Sequence, residues 1–344
     1  MMVRKVKRKP SGIGRLAVLL LKVGIAALVY KAIIMPGYQH IFANGYDAKT
    51  SSYSSLKITP DSDDERRTQA PSSKIEADPS VPLSAAKLNS PNVILVRVKD
   101  HAVLMEKNSA EKIYPASLTK IMTALVAIEN LPNLKKEIKL ANSAFQGLHQ
   151  ADASMAGFQP GEQVRAIDLL YGVMLPSGAE CCIGLADQIG GSEQNFVKMM
   201  NQKAADLGMK NTRFDNATGL HAKNHYTTVK DLAILLSYAL QNDTFREIFT
   251  SSRYSTSPTN KHSGGITFSS TLFADLKTPN ISGGEILGGK TGYTAEAGLC
   301  LASLAKVGSQ EYILVSAGAK GDHRSEQYNI SDALAVYNNI GKGL

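Results

Sequence analysis

From residue 92 onward the chain changes between two kinds of apolar pattern. Val93-Ile94-Leu95-Val96 is an unbroken, largely β-branched run, and Ala102-Val103-Leu104-Met105-Glu106 follows after the polar Lys99-Asp100-His101, which predicts a strand hairpin. Helical spacing then takes over: Ile121, Ala124, Leu125 and Ile128 recur on one face, a few residues after Pro115, which a first helical turn tolerates. More helical segments are predicted over 167–174, 181–189, 193–207 and 229–240, then strands over 264–269, 299–305 and 311–317, and a last helix over 331–340. Lys290-Thr291-Gly292 falls on a further strand. Strands at both ends of a domain with helices between them predict one sheet built from both termini. The chain carries no internal repeat.

Ahead of this block the pattern is different. Residues 44–88 are rich in Ser, Thr, Asp, Lys and Pro with few large apolar side chains, the composition of a flexible linker. Residues 16–35 are almost wholly apolar, about the ~20 residues a membrane span needs, and follow a basic tail over 1–15. Lys22 and Lys31 interrupt the span, and Lys31 can snorkel to the interface more easily than Lys22. An uncleaved anchor is the favoured reading; a signal cleaved near Phe42-Ala43 and an amphipathic surface helix are the alternatives. Each places the 90–344 domain at the cell membrane or beyond it, outside the cytoplasm.

Charge supports this division. The 344 residues carry 38 Lys and Arg against 30 Asp and Glu, a net charge of +8. Eight of the basic residues and none of the acidic ones precede Asp47, so the rest of the chain is balanced. A folded part with no excess of cations argues against nucleic-acid binding. With 43% hydrophobic residues there is ample material for a core. Cys181, Cys182 and Cys300 make an odd count, with two adjacent, and imply no disulfide framework; small buried hydrophobes is the plainer reading. His221 and His225 flank a polar loop without further ligands at metal-site spacing, so loop packing is expected there and no metal or cofactor is implied. Asp215 and Asn216 are expected to shape a turn before Gly219.

The chemistry-bearing pattern is Tyr114-Pro115-Ala116-Ser117-Leu118-Thr119-Lys120, with Gly288-Gly289-Lys290-Thr291-Gly292-Tyr293-Thr294 far downstream. A serine hydroxyl needs a base within hydrogen-bond reach, and residues three apart share a helix face, so Lys120 would touch Ser117. At a helix N-terminus the backbone N–H groups would face incoming negative charge. Serine-x-x-lysine is weak by itself: Ser54/Lys57, Ser84/Lys87 and Ser303/Lys306 fit it as well. Only the pair at 117 and 120 opens an amphipathic helix and precedes a Lys-Thr-Gly strand, and that triplet occurs once.

These residues, with Met200-Asn201, residues 204–209 and Phe214-Asp215-Asn216-Ala217-Thr218-Gly219-Leu220-His221 in the same order, resemble the low-molecular-mass penicillin-binding D-alanyl-D-alanine carboxypeptidases, relatives of the serine β-lactamases. The resemblance covers about residues 90 to 344. It implies an α/β (α+β) fold of the β-lactamase/transpeptidase type, with a five-stranded antiparallel sheet beside a helical cluster and the site between them. It also implies removal of the terminal D-Ala from peptidoglycan stem peptides, with β-lactams as ligands. Ser117 would be the acylated nucleophile, Lys120 its base and Ser177 a proton relay. Lys290 and Thr291 would bind the substrate carboxylate from an edge strand, with Gly292 and Tyr293 completing it, and the N–H groups of Ser117 and Tyr293 would form the oxyanion hole. A second buried cation, Lys290, would lower the pKa of Lys120.

Two departures weigh on that expectation. Where similar enzymes carry Ser-x-Asn, this chain has Ser177-Gly178-Ala179-Glu180, so the amide is missing, with water or Glu180 the substitutes. Where they show Asn-x-Leu-Leu, it has residues 267–272, Thr-Phe-Ser-Ser-Thr-Leu. The usual C-terminal β domain and amphipathic tail are not expected either, and an N-terminal anchor would replace the tail. Ordinary wall trimming and a supporting part in glycopeptide resistance both fit the implied activity. A weak or inactive penicillin or muropeptide binder is the alternative that Ala179 raises. A β-lactamase would need a carboxylate to activate the deacylating water, and the characteristic Glu-x-x-Leu-Asn is missing.

Overall fold

A computed structural model describes residues 85–342. The expected tail, span and most of the linker, and the Ser54/Lys57 pair, lie outside the described residues. Among the described residues no helix is long and apolar enough to cross a membrane.

A short 3₁₀ turn (Ala85–Lys87) leads into β1 (Asn92–Arg97) and β2 (Val103–Lys107). The helical block holds a 3₁₀ turn (Ala116–Leu118), α1 (Thr119–Asn130), β3 (Glu137–Lys139), a third 3₁₀ turn (Asn142–Phe145) and β4 (Gln163–Arg165). It continues with α2 (Ala166–Met174), α3 (Ala179–Gly190), α4 (Glu193–Asp206), α5 (Val229–Ala239) and α6 (Asp243–Thr250). Then come β5 (Arg253–Ser255), β6 (Thr267–Ser269), α7 (Thr271–Asp275), β7 (Asn280–Ile281), β8 (Gly284–Thr294), β9 (Gly298–Val307), β10 (Gln310–Ala319) and α8 (Tyr328–Lys342).

The main sheet runs in the order β2-β1-β10-β9-β8-β7, antiparallel throughout. The N-terminal strand therefore pairs with the last one, as strands at both ends of the domain predicted. There are six strands where five were expected, because two-residue β7 adds to the outer end of β8. β6 departs from expectation too: the strand foreseen over 264–269 spans only Thr267–Ser269 and pairs with β5 outside the main sheet. The small β3–β4 ladder carried too few alternating residues for the sequence pattern to reveal it.

β1 is buried along nearly its whole length because both faces are covered. Val93, Leu95, Leu301, Leu314 and Tyr312 pack with Ile330, Val336 and Tyr337 of α8 on one face. Ile94, Val96, Ile313 and Val315 are equally buried on the other, where α5 lies against β1 and β10. The Asp332 carboxylate on α8 accepts the backbone N–H groups of Asn89 (2.9 Å) and Ser90 (2.7 Å), fastening the start of the domain to its last helix. Ser303/Lys306 shows why a spaced pair is not a site: on a strand, residues three apart point to opposite faces, so Ser303 is buried against Tyr337 while Lys306 is exposed.

The candidate active site

Ser117 sits where the helical block meets β8. It is the middle residue of the 3₁₀ turn, not part of α1, which begins at Thr119. The expected helical i, i+3 neighbourhood survives this tighter winding: Lys120 Nζ donates to Ser117 Oγ at 3.0 Å. Ala116, just before the serine, has φ 45, the left-handed region that a residue with a Cβ occupies only under constraint.

The loop 215–220 supplies the constraint. Asn216 Oδ1 accepts from the N–H groups of Thr218 (3.2 Å) and Gly219 (2.7 Å), giving the turn expected there. That turn presents the Thr218 carbonyl to Lys120 Nζ at 2.6 Å and the Ala217 carbonyl to Thr123 Oγ1 at 2.7 Å. Gly219, at φ +85, lies so close to the Ala116–Leu118 turn that an added Cβ would fall 2.0 Å from the Ala116 carbonyl oxygen. Buried His225 braces the loop: Nδ1 accepts from Asp215 N at 3.1 Å, which leaves Nε2 to donate to Thr119 Oγ1 at 2.7 Å. Burial pushes its pKa down to about 4, so the ring is neutral at physiological pH, with both nitrogens occupied.

β8 forms the facing wall. Its short partner β7 covers only Gly284 and Glu285, so the Lys-Thr-Gly stretch has β9 on one flank and the cleft on the other. Gly292 is what lets the strand come in: a Cβ there would lie 3.0 Å from Ser117 N. Ser117, Ser177, Thr291, Gly292 and Tyr293 line one cleft of about 250 Å³. Lys120 and Lys290 stand behind that lining, 2% and 0% exposed. Lys290 Nζ donates to the Thr291 carbonyl at 2.9 Å, and of the two expected carboxylate binders only Thr291 lines the cleft.

Burial holds the Lys120 ammonium below its ordinary pKa, while the cysteine pair and the Glu180 carboxylate pull the other way. Burial also holds Lys290 well below its ordinary value, with the charge of Lys120 second. A neighbouring cation was the expected cause for Lys120; desolvation leads instead, and the like-charge effect falls on Lys290.

Ser177 occupies the left-handed region (φ 68), and its Oγ is buried without a partner in the cleft wall. Ala179 is buried and its N–H donates to the Ser154 carbonyl at 2.8 Å. Glu180 does not take over the missing amide's place in the lining: its Oε1 accepts from Ala156 N (2.7 Å) and Gly157 N (2.9 Å), holding the segment that contributes Ser154 to the cleft. Burial raises the Glu180 pKa. All three cysteines are free and buried, as the plainer reading expected.

The sequence pattern missed Thr271. It begins α7, lines the cleft, and shares a 2.6 Å hydroxyl contact with Thr291. Nothing in the run Thr-Phe-Ser-Ser-Thr-Leu distinguishes it from its neighbours; only the approach of α7 to β8 does.

The arrangement brings together a hydroxyl held against a desolvated lysine, a second serine lining the same cleft, and a strand flank open to that cleft. The model of the D-alanyl-D-alanine carboxypeptidase family (peptidase S11) matches residues 78–321. The chain belongs to this family. It is 36% identical over 233 residues to D-alanyl-D-alanine carboxypeptidase DacF of Bacillus subtilis (strain 168), covering 66% of this chain and 57% of that protein. With DacC of Escherichia coli (strain K12) it shares 34% identity over 257 residues, 71% of this chain and 60% of the relative. The chain thus spans less than two thirds of the length of these curated relatives. The crystal structure of the Streptomyces K15 DD-transpeptidase superposes with a TM-score of 0.66 at 29% identity, covering 75% of this chain and 98% of the other. The fold is the penicillin-binding one that the resemblance implied.

Proposed function

We propose that this family member is a serine D-alanyl-D-alanine carboxypeptidase that works through an acyl-enzyme on Ser117. The observation that carries the reading is the 3.0 Å contact between Ser117 Oγ and the buried Lys120 Nζ. Desolvation favours neutral lysine, the form able to accept a proton. Lys120 takes the proton of Ser117 as Oγ bonds to the carbonyl carbon of the penultimate D-Ala. The N–H groups of Ser117 and Tyr293 stabilise the oxyanion, a contribution of about 10²- to 10³-fold per donor. The proton passes through Ser177 to the leaving nitrogen, the C–N bond breaks, and D-Ala departs. Water then hydrolyses the ester and restores Ser117.

The apolar stretch over 16–35 supports a membrane anchor with the catalytic domain outside the cytoplasm, the linker giving it reach toward the wall. Trimming there serves wall maturation, and the same reaction removes the D-Ala terminus that a glycopeptide would bind. The test is D-Ala release from a diacetyl-Lys-D-Ala-D-Ala peptide by the full chain in detergent, with and without benzylpenicillin. Penicillin-sensitive release supports the carboxypeptidase. Acylation of Ser117 without any release supports a second reading, a penicillin or muropeptide binder, which the buried Ala179 in place of an amide favours.

A further inference from the structure

A third serine, Ser154, lines the cleft with Ser117 and Ser177, and the acyl-transfer steps give it no part. It belongs to residues 153–159, a stretch without regular secondary structure between the third 3₁₀ turn and β4. Such a stretch has no ladder to hold it, so its backbone groups must be satisfied by other means.

Two buried carboxylates do much of this. Glu180 Oε1 accepts the N–H groups of Ala156 and Gly157, as described above. Glu162 is 0% exposed; its Oε2 accepts from Gln159 N at 2.8 Å, and its Oε1 accepts from Thr259 Oγ1 at 2.6 Å with His262 Nδ1 at 2.8 Å. At the other end of the stretch, Ala153 N donates to the Leu148 carbonyl at 3.0 Å and the Ser154 carbonyl accepts from Ala179 N at 2.8 Å. Gly178 lets the two segments close: a Cβ there would lie 2.7 Å from Ala156 Cβ and 2.9 Å from Ala156 N. Ser154 is thereby fixed against Ser177-Gly178-Ala179 through its main chain. None of these contacts uses its hydroxyl, and the residue stays exposed on the cleft lining. Burying a carboxylate is costly unless its oxygens are paired, and here two of them are committed to one irregular segment.

The composition of the lining says what the hydroxyl can meet. An extended peptide carries N–H and C=O groups on both edges. If one edge pairs with the open flank of β8, the other faces the wall built by the helical block. That block contributes Ser117, Ser154 and Ser177 to the lining. Ser117 bonds to the reacting carbon and Ser177 passes the proton, which leaves Ser154 for the main chain. Beside it Ala179 offers only a methyl group.

We propose that Ser154 is a specificity-determining residue whose hydroxyl hydrogen-bonds to the main-chain edge of the substrate turned away from β8, favouring an extended peptide over a compact acylating agent. This rests on the carboxypeptidase reading.

The experiment compares the full chain in detergent as wild type, Ser154→Ala and Ser154→Thr, with thermal unfolding as the check on folding. Two rates are measured: kcat/KM for D-Ala release from diacetyl-Lys-D-Ala-D-Ala, and acylation of Ser117 by 6-aminopenicillanic acid, a β-lactam with no acyl side chain and so no extended main chain. Ser154→Ala should lower the peptide rate about fivefold, the worth of one neutral hydrogen bond, and leave the β-lactam rate within about twofold. Ser154→Thr, which keeps the hydroxyl, should stay within about twofold of wild type on both. A peptide rate that Ser154→Ala changes by less than about twofold, an equal loss on both reagents, or a Ser154→Thr variant as slow as Ser154→Ala would overturn the proposal and leave the carboxypeptidase standing. No D-Ala release by the wild type would overturn both.

Discussion

The two walls of the cleft are built on different physical principles. The helical wall concentrates ionisable groups and buries them: Lys120 and Glu180 are almost completely shielded, and His225 behind them is neutral. The strand wall presents small or neutral groups from β8, namely Thr291, Gly292 and Tyr293, and hides its one cation, Lys290, behind the lining. Burial changes the proton affinity of a lysine by removing water, so under the proposed mechanism the wall that moves protons must be closed and braced. Under the same proposal the wall that holds an extended ligand needs an open strand flank and hydroxyls, which cost little to leave in contact with water. The proposed function therefore predicts that reactivity and recognition are separable, and substitutions on each wall should separate them.

The largest effect expected is on the helical wall. Ser117→Ala should abolish covalent labelling by a fluorescent penicillin while thermal unfolding stays cooperative; persistent labelling at another serine would break the assignment of chemistry to this wall. Gly219→Ala should come next, because its Cβ would collide with the Ala116 carbonyl at a left-handed backbone position. We expect a loss of about 2–3 kcal/mol of stability and an acylation rate lower by about 100-fold, since the nucleophile turn must shift. Unchanged acylation kinetics would show that the loop does not hold Ser117.

The brace itself has a pH signature. The His225 pKa is depressed in the folded state, so its neutral form contributes stability that is complete above the unfolded value of 6.5 and declines as pH falls from there toward about 4. The decline should reach about 3 kcal/mol from this group alone, measured by denaturant unfolding at pH 7 and pH 4, and His225→Gln should flatten it. A smaller effect separates the walls most cleanly. Glu180 supports the charge on Lys120, so Glu180→Gln should lower the lysine pKa and move the acidic limb of the kcat/KM profile to lower pH. Thr271→Val should instead raise KM a fewfold with no shift of that limb, as loss of about 1 kcal/mol of binding predicts. A pH shift in the second variant would mean that the two walls are not independent.

Much of this molecule was determined by sequence periodicity. The β1 run, the 3.6-residue repeat of α1 and the long apolar strands β9 and β10 bury whole faces, and such faces are visible one residue at a time. Ser117 and Lys120 were legible because their contact is local, and Lys290-Thr291-Gly292 because the triplet is unique in the chain. What only the tertiary structure decided depends on groups distant in sequence. The turn at Ser117 is packed against a loop a hundred residues away, and Thr271 gains its meaning from Thr291. The leading cause of the lysine shift also changed, because desolvation is set by everything packed around a group and leaves no local mark in the chain.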